Sequence, residues 1–338
     1  VPRILISASF PESLLARQSP GGRGVWDEFE FSFEPSDEPV DGWVVYDTLR
    51  EPITQRCPPQ NTLLITGEPE SVRRYRPRFT GQFAQVWSSQ RNIQHPHLTR
   101  RNEGQHWHYG MRPSLAHGGP LHYDDLLQLT APQKSKMISV ICSNKALTPD
   151  HQQRLQFVDA LRQHFGTQID FLGRGFQPVE DKADAIWPYR YHIVLENDHT
   201  EHFMTEKISD AFLGWSYPIY FGGSEAYYRF PEGSFTAIDI YQPEQAISII
   251  GDVLAGDTYT TALPQLAVAR QAVLQRHNLF AMLAEYWRAY LQDARAEQVT
   301  LLPKSHGASL VLRQLGRAAR RAFSQSTHSQ STHSQRAA

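Results

Sequence analysis

Short apolar runs separated by polar, Pro-rich or Gly-rich joints punctuate the first half of the chain. The runs at 3–7, 43–46, 62–66 and 84–87 are rich in Ile, Val, Leu and aromatics, which predicts buried parallel strands rather than half-exposed ones. Helical signals between them are weak. From 113 to 136 the composition shifts to Gly, Pro, His and Gln, the mark of an interdomain linker.

A clearer alternation follows. Residues 137–143 predict a strand, and Thr148 with Pro149 behind it predicts a capped helix start. That helix places Leu155, Val158, Leu161 and Phe165 at helical spacing and ends at Gly166. Strands are predicted at 169–172, 191–195, 218–221 and 235–240. Helices are predicted at 205–215, with Ile208, Ala211, Phe212 and Trp215 on one face, and at 243–254. Strand–helix–strand repetition with short joints implies a parallel sheet covered on both faces. The expected fold class is α/β, with two Rossmann-like domains facing a cleft and a C-terminal helical extension. Its parts are a first Rossmann-like domain at 1–113, a linker at 114–136, and a second Rossmann-like domain at 137–256. A long helical region at 257–306 packs on both domains, and a basic amphipathic helix with a disordered tail occupies 307–338. The pentapeptide Gln-Ser-Thr-His-Ser, at 325–329 and again at 330–334, is the low-complexity signal in that tail.

A length of 338 residues agrees with two domains at roughly 150 residues each. The 33 Lys and Arg against 35 Asp and Glu argue against a general nucleic-acid binder, which needs a basic excess. Five Arg and no acid lie beyond residue 306, so the preceding body carries −7. No apolar run approaches the ~18 residues of a membrane-spanning helix. The opening apolar stretch is too short for a signal peptide and reads as a first strand. Cys57 and Cys142 are far apart, which excludes a disulfide framework and speaks against a Cys-based metal site. The expectation is a soluble cytoplasmic protein. On a helical wheel over 309–323, Arg313, Arg317 and Arg320 face away from Val311, Leu315, Ala319 and Ala322, as in a helix lying on an anionic membrane. Peripheral contact with the inner membrane is therefore weighed against a helix docked on the protein.

The chemistry concentrates between 189 and 235. A strand carries Tyr191-His192-Ile193-Val194-Leu195 and then presents Glu196 and Asn197. Thr205-Glu206-Lys207 opens a helix, and Pro218-Ile219-Tyr220-Phe221-Gly222 and Pro231-Glu232-Gly233-Ser234-Phe235 follow. A helix N-terminus suits an anion, and Lys207 in the first turn is electrostatically awkward unless a diphosphate lies beside it. A surface Glu and Lys at an ordinary helix start is an equally good reading of these residues alone. At this spacing, however, the succession resembles the donor-binding motif of family 10 glycosyltransferases, the α-1,3/4-fucosyltransferases of bacterial type. The resemblance is strong over about 50 residues and traceable over roughly 62–252.

The resemblance implies a GT-B fold, a GDP-fucose donor bound mainly by the second domain, a glycan acceptor, and inversion without a covalent intermediate. It also implies donor contacts from Lys207 and Arg154 to the diphosphate, and from Asn197, Glu206 and the neighbouring Glu196 to donor hydroxyls or the ribose. Phe203 stands in the donor loop where bacterial members often have Tyr, so a phenol hydrogen bond is missing, and Leu195 replaces the usual Phe. Thr66-Gly67-Glu68-Pro69-Glu70-Ser71 is similar to the family segment that supplies the catalytic base. Glu68 is the first candidate and Glu70 the second, with a loop or cap role the plainer reading of Glu70.

No Asp-x-Asp triplet is present. That fits leaving-group stabilisation by protein cations, with no cofactor required and a divalent metal at most stimulatory. Six His between 95 and 122 make a metal site conceivable, as does Glu196-Asn197-Asp198-His199, which the donor-loop reading explains better. Trp107 and Tyr109 are candidates for stacking on acceptor sugars or for plain core packing. The leading expectation is fucosyl transfer to an N-acetyllactosamine-like unit or a surface polysaccharide, in α-1,3 or α-1,4 linkage. The alternatives are a same-fold transferase using another GDP-sugar and a non-catalytic glycan-binding protein.

Overall fold

Residues 1–304, apart from 12 and 105, are described by a computed structural model. The predicted amphipathic helix and repeat tail lie outside the described residues. The first domain contains β1 (Arg3–Ala8), α1 (Ser13–Ala16), β2 (Val25–Trp26), β3 (Phe29–Ser32), β4 (Gly42–Tyr46), β5 (Ile53–Cys57), β6 (Thr62–Ile65), α2 (Pro77–Thr80), β7 (Gln85–Ser88) and β8 (Leu98–Arg100). The second contains α3 (Tyr123–Gln128), β9 (Lys136–Ile141), α4 (Pro149–Phe165), β10 (Ile169–Leu172), α5 (Lys182–Ile186), β11 (Tyr189–Leu195), α6 (Glu206–Leu213), β12 (Tyr217–Phe221), α7 (Ala226–Arg229), β13 (Thr236–Ala237) and α8 (Pro243–Ala255). The chain ends its described part with α9 (Thr258–Thr261), α10 (Leu263–Gln275), α11 (Leu279–Tyr290) and β14 (Glu297–Leu301).

The first sheet runs β2-β3-β1-β4-β6-β7-β8 and the second β10-β9-β11-β12-β13. Every pairing is parallel except the β2–β3 hairpin and the separate β5–β14 ladder. Burial of all of β4, β6 and β12 explains their unbroken apolar runs, because both faces of each sheet are covered. In each sheet the first parallel strand sits between the second and the third, so the strand order reverses there. A crevice at the carboxyl ends of the strands opens at such a reversal. The molecule has the GT-B architecture: two Rossmann-like α/β domains whose reversal points face one cleft.

α4 illustrates how the sequence fixes a functional position. Thr148 caps it by accepting the His151 N–H at 3.1 Å. Its buried stripe is Arg154, Phe157, Val158, Leu161 and Phe165, with Leu155 at the margin. Arg154 extends the apolar stripe by one turn toward the cleft, which is why a cation occupies a buried helical position.

Several expectations are corrected. The stretch 114–136 is no free linker: α3 lies within it, and Tyr123 packs edge-on against Trp26 at 5.5 Å. Buried Lys134 donates to the last carbonyls of the α5 and α6 turns, Trp187 O and Gly214 O, at 2.7 Å each. The strand foreseen at 235–240 shrinks to the two residues of β13. The helical region expected at 257–306 holds three helices, interrupted at Ala262 and at Asn278, whose side chain caps α11, and then the strand β14. α10 packs on α6 of the second domain, whereas α11 and β14 return to the first. The Tyr286 ring lies 5.3 Å from that of Trp87, and Arg288 pairs with Glu28 at 2.7 Å. No helix of the described residues is long and apolar enough to cross a membrane.

Candidate active site between the two domains

The strand ends of both sheets converge on a cavity of about 460 Å³. Phe10 beyond β1, Tyr46 and Asp47 at the end of β4, and Gly67 and Glu68 beyond β6 form the first-domain wall. Opposite them stand Ser143 and Lys145 beyond β9, Arg154 of α4, Asn197 beyond β11, Phe203, and the start of α6 with Thr205, Glu206 and Lys207. Sequence-predicted residues from both domains thus meet in one place. Glu70 is half-buried and does not line the cavity.

Glu68 enters the cavity with its carboxylate engaged in no hydrogen bond or ion pair among the described residues. Its backbone is held instead: Gln90 Nε2 donates to Glu68 O at 2.7 Å and to Arg73 O at 2.7 Å. Partial burial pushes the Glu68 carboxyl above the usual range, with the Arg73 charge opposing this.

On the facing wall the cations are built in. The Arg154 guanidinium donates to Asn197 Oδ1 and, at 3.3 Å, to Ser143 O. Lys207 Nζ donates to Glu196 Oε2 at 2.8 Å and to Thr205 Oγ1 at 2.9 Å. Glu196 also accepts the Thr205 N–H at 2.7 Å, is fully buried, and does not line the cavity. The expectation that Glu196 is presented alongside Asn197 is therefore corrected. Adjacent residues of an extended chain point to opposite sides, so only Asn197 faces the cleft while Glu196 anchors Lys207 from behind. Phe203 sits in the wall as a buried ring. The Phe203 and Thr200 carbonyls lie so close to Gly223 that a Cβ there would stand 2.5 and 2.3 Å from them, which fixes glycine under the donor loop. Lys145, exposed at the rim, is a further cation on this wall that the sequence reading missed.

Glu206 is held in a charged cluster. Lys182 Nζ bonds Glu206 Oε1 at 2.8 Å and Asp210 Oδ2 at 2.7 Å, and His108 Nδ1 lies 3.2 Å from Glu206 Oε1. Burial pushes the Glu206 carboxyl up, but Lys182, His108 and Lys207 outweigh it and hold the group well below the usual range. His106 Nε2 lies 3.1 Å from His108 Nε2, and burial brings His106 down to about 4. His192, in the cavity wall, is brought down by burial to about 3 and bonds Ser139 Oγ at 2.8 Å through Nδ1. His108, Glu206 and Asp210 offer atoms within 4.8 Å of one another, a spacing a metal could use. The ammonium of Lys182 bridges both carboxylates, so a cation already stands among them and the donor set does not fit a divalent ion. Trp107 and Tyr109 are buried in the core and do not reach the cavity, whereas His106 and His108 between and beside them do.

This cluster gives a stability prediction. Lys182→Met leaves two buried carboxylates without their counter-ion and is expected to cost about 3–5 kcal/mol at neutral pH. In the intact protein the lowered Glu206 pKa contributes stability that is present above its unfolded value and lost as pH falls through the folded one. In the variant burial dominates, the Glu206 pKa rises, and the deficit shrinks as pH falls toward 4. Urea unfolding of both proteins between pH 4 and 8 measures this. A deficit independent of pH would contradict it.

Residues 131–258 match the family model described as Glycosyltransferase family 10 (fucosyltransferase) C-term. The second domain is similar to the C-terminal domain of family 10 glycosyltransferases. The match takes in Arg154, Glu196, Asn197, Phe203, Glu206 and Lys207, and leaves the first-domain residues Asp47, Glu68 and Glu70 outside it. No curated protein matches the chain. Among solved structures, an α1,3-fucosyltransferase with GDP is similar at 16% identity and a TM-score of 0.48, covering 82% of this chain and 92% of that one. The same kind of enzyme with GDP-fucose is similar at 16% identity and 0.46, covering 83% and 93%. A T4 phage BGT variant with UDP-glucose is similar at 8% identity and 0.45, covering 86% and 99%. The domain that matches the family model thus contributes Arg154, Lys145 and Lys207 to the cavity wall, and the first domain contributes Glu68.

Proposed function

We propose that this protein is an inverting fucosyltransferase that transfers L-fucose from GDP-fucose to a hydroxyl of a glycan acceptor. The observation that carries this reading is the division of charge across the cleft. The unengaged Glu68 carboxylate faces Arg154, Lys207 and Lys145 on the family 10 domain. Single displacement needs a carboxylate on one side and a stabilised leaving group on the other.

In this reading the diphosphate lies against Lys207, Arg154 and Lys145, near the N–H groups that open α6. Glu206, kept ionised by Lys182 and His108, accepts hydrogen bonds from donor hydroxyls, and Asn197, braced by Arg154, donates or accepts beside it. Glu68 takes the proton of the acceptor hydroxyl as its oxygen attacks the anomeric carbon. The bond to the diphosphate oxygen breaks on the opposite face, and the departing charge is received by cations already in place, so little reorganisation is required. No step calls for a metal. The acceptor class is a glycan of the N-acetyllactosamine or surface-polysaccharide kind.

The test is GDP release from GDP-fucose, without added metal, across a panel of such acceptors, with the anomeric configuration of the product read by NMR. Acceptor-dependent release with an inverted product supports the reading. Transfer from GDP-mannose in preference to GDP-fucose would leave the site and overturn the sugar. A retained configuration would overturn single displacement.

A further inference from the structure

Asp47 stands in the first-domain wall beside Glu68, and nothing in the reaction as derived uses it. It follows the last residue of β4 with φ +64, a left-handed conformation rare for residues other than glycine, asparagine and aspartate. Backbone held there by its surroundings is a recurrent feature of functional sites. Both of its carboxylate oxygens are occupied: Oδ1 accepts from the Tyr75 hydroxyl, and Oδ2 pairs with the Arg73 guanidinium. The Tyr75 hydroxyl in turn accepts the Gly67 N–H at 3.0 Å, which ties Asp47 to the backbone immediately before Glu68. Gln90 holds the carbonyls of Glu68 and Arg73 with a single amide, so both side chains leave one short, rigid segment.

The Arg73 guanidinium, whose charge also acts on Glu68, is paired by Asp47 and not by Glu68. The distinction matters, because an arginine fork on a carboxylate occupies its lone pairs and lowers its proton affinity, both adverse for a base. We propose that Asp47 is a positioning residue that engages Arg73 and so keeps the Glu68 carboxylate free to accept the acceptor's proton. This inference rests on the transfer reaction proposed above for its consequence, but not for its geometry. Arg73 and Asp47 face Glu68 from its own domain, Lys145 and Lys207 face it across the cleft, and Lys304 lies 5.3 Å over the Tyr75 ring behind it.

The test uses Asp47→Asn and the double variant Asp47→Asn/Arg73→Met. Asparagine tolerates the left-handed backbone and can still accept from Tyr75, so the fold is retained, and unchanged thermal unfolding checks this. The readout is the Glu68 carboxyl titration followed by carbon-13 NMR, together with kcat as a function of pH. Asp47→Asn should bring the Glu68 titration down as Arg73 turns to it, lower kcat 10- to 100-fold at neutral pH, and leave the donor KM within about twofold. Removing Arg73 as well should return the titration upward and restore most of kcat. Either an unshifted Glu68 titration in Asp47→Asn or a double variant no better than the single one overturns the proposal. If Glu68→Gln keeps full transfer, the assignment of the base fails, while the NMR titration still decides whether Asp47 controls the pairing of Arg73.

Discussion

Glu68→Gln is expected to lower kcat by about 10²–10⁴-fold, the usual contribution of a positioned general base, with donor affinity changed less than twofold. The split follows from where the carboxylate sits. It lines the first-domain wall, away from the cations that face it, and its backbone clamp by Gln90 does not depend on the side chain. Gln keeps the size and removes only the ability to accept a proton. Because activity requires the deprotonated form, kcat in the parent protein should rise with pH through the Glu68 pKa. Burial sets that limb above the range of an exposed glutamate, with Arg73 opposing it. The variant should lose this limb altogether. Glu70→Gln, outside the cavity, should leave both kcat and the limb close to those of the parent. Steady-state kinetics across pH 4–9 distinguishes the two carboxylates. Equal losses in both variants would mean the segment, rather than one group, is being perturbed.

The second large effect is expected at Lys207. In the proposed donor complex Lys207 makes a charged hydrogen bond to the diphosphate, worth about 1.5–3 kcal/mol, so Lys207→Met should weaken GDP binding by roughly 10- to 150-fold. The same substitution strands Glu196, which is fully buried and keeps only Thr205 as a partner. An uncompensated buried carboxylate costs about 3–5 kcal/mol of stability. The two consequences separate in Glu196→Gln/Lys207→Met, which should recover most of the lost stability and none of the lost affinity. Titration calorimetry with GDP and urea unfolding on the three proteins measure both. Recovery of GDP affinity in the double variant would show that Lys207 acts on the fold and not on the ligand.

Much of the second domain was legible because its signals are local. Thr148 and Pro149 mark the start of α4, Gly166 its end, and the apolar spacing between them its buried face, Arg154 included in retrospect. Thr205-Glu206-Lys207 could be placed at a helix N-terminus for the same reason. The errors at the site came from ignoring alternation. Glu196 and Asn197 are neighbours in an extended chain and cannot both face the cleft. His106 and His108 reach the cavity while Trp107 and Tyr109 are turned into the core, and the His-Trp-His-Tyr order carried that signal. Asp47, Lys145 and Lys182 were missed for another reason. They lie in loops, at a strand end or at a short helix start without a periodic context; Asp47 and Lys182 take their importance from Arg73 and Glu206, distant in sequence, and Lys145 from its place at the cavity rim. The return of α11 and β14 to the first domain is likewise a long-range outcome, decided by Tyr286 meeting Trp87 and by β14 pairing with β5.

In the proposed reaction Arg154, Lys207 and Lys145 supply the positive charge that receives guanosine diphosphate. The measurement that tests it most directly is calorimetric titration of the full chain with GDP, GDP-fucose and UDP in the presence of a chelator. Saturable binding of GDP and GDP-fucose, with UDP much weaker, is the predicted result. Binding of UDP as tight as GDP, or guanosine binding that appears only when metal is restored, would contradict it.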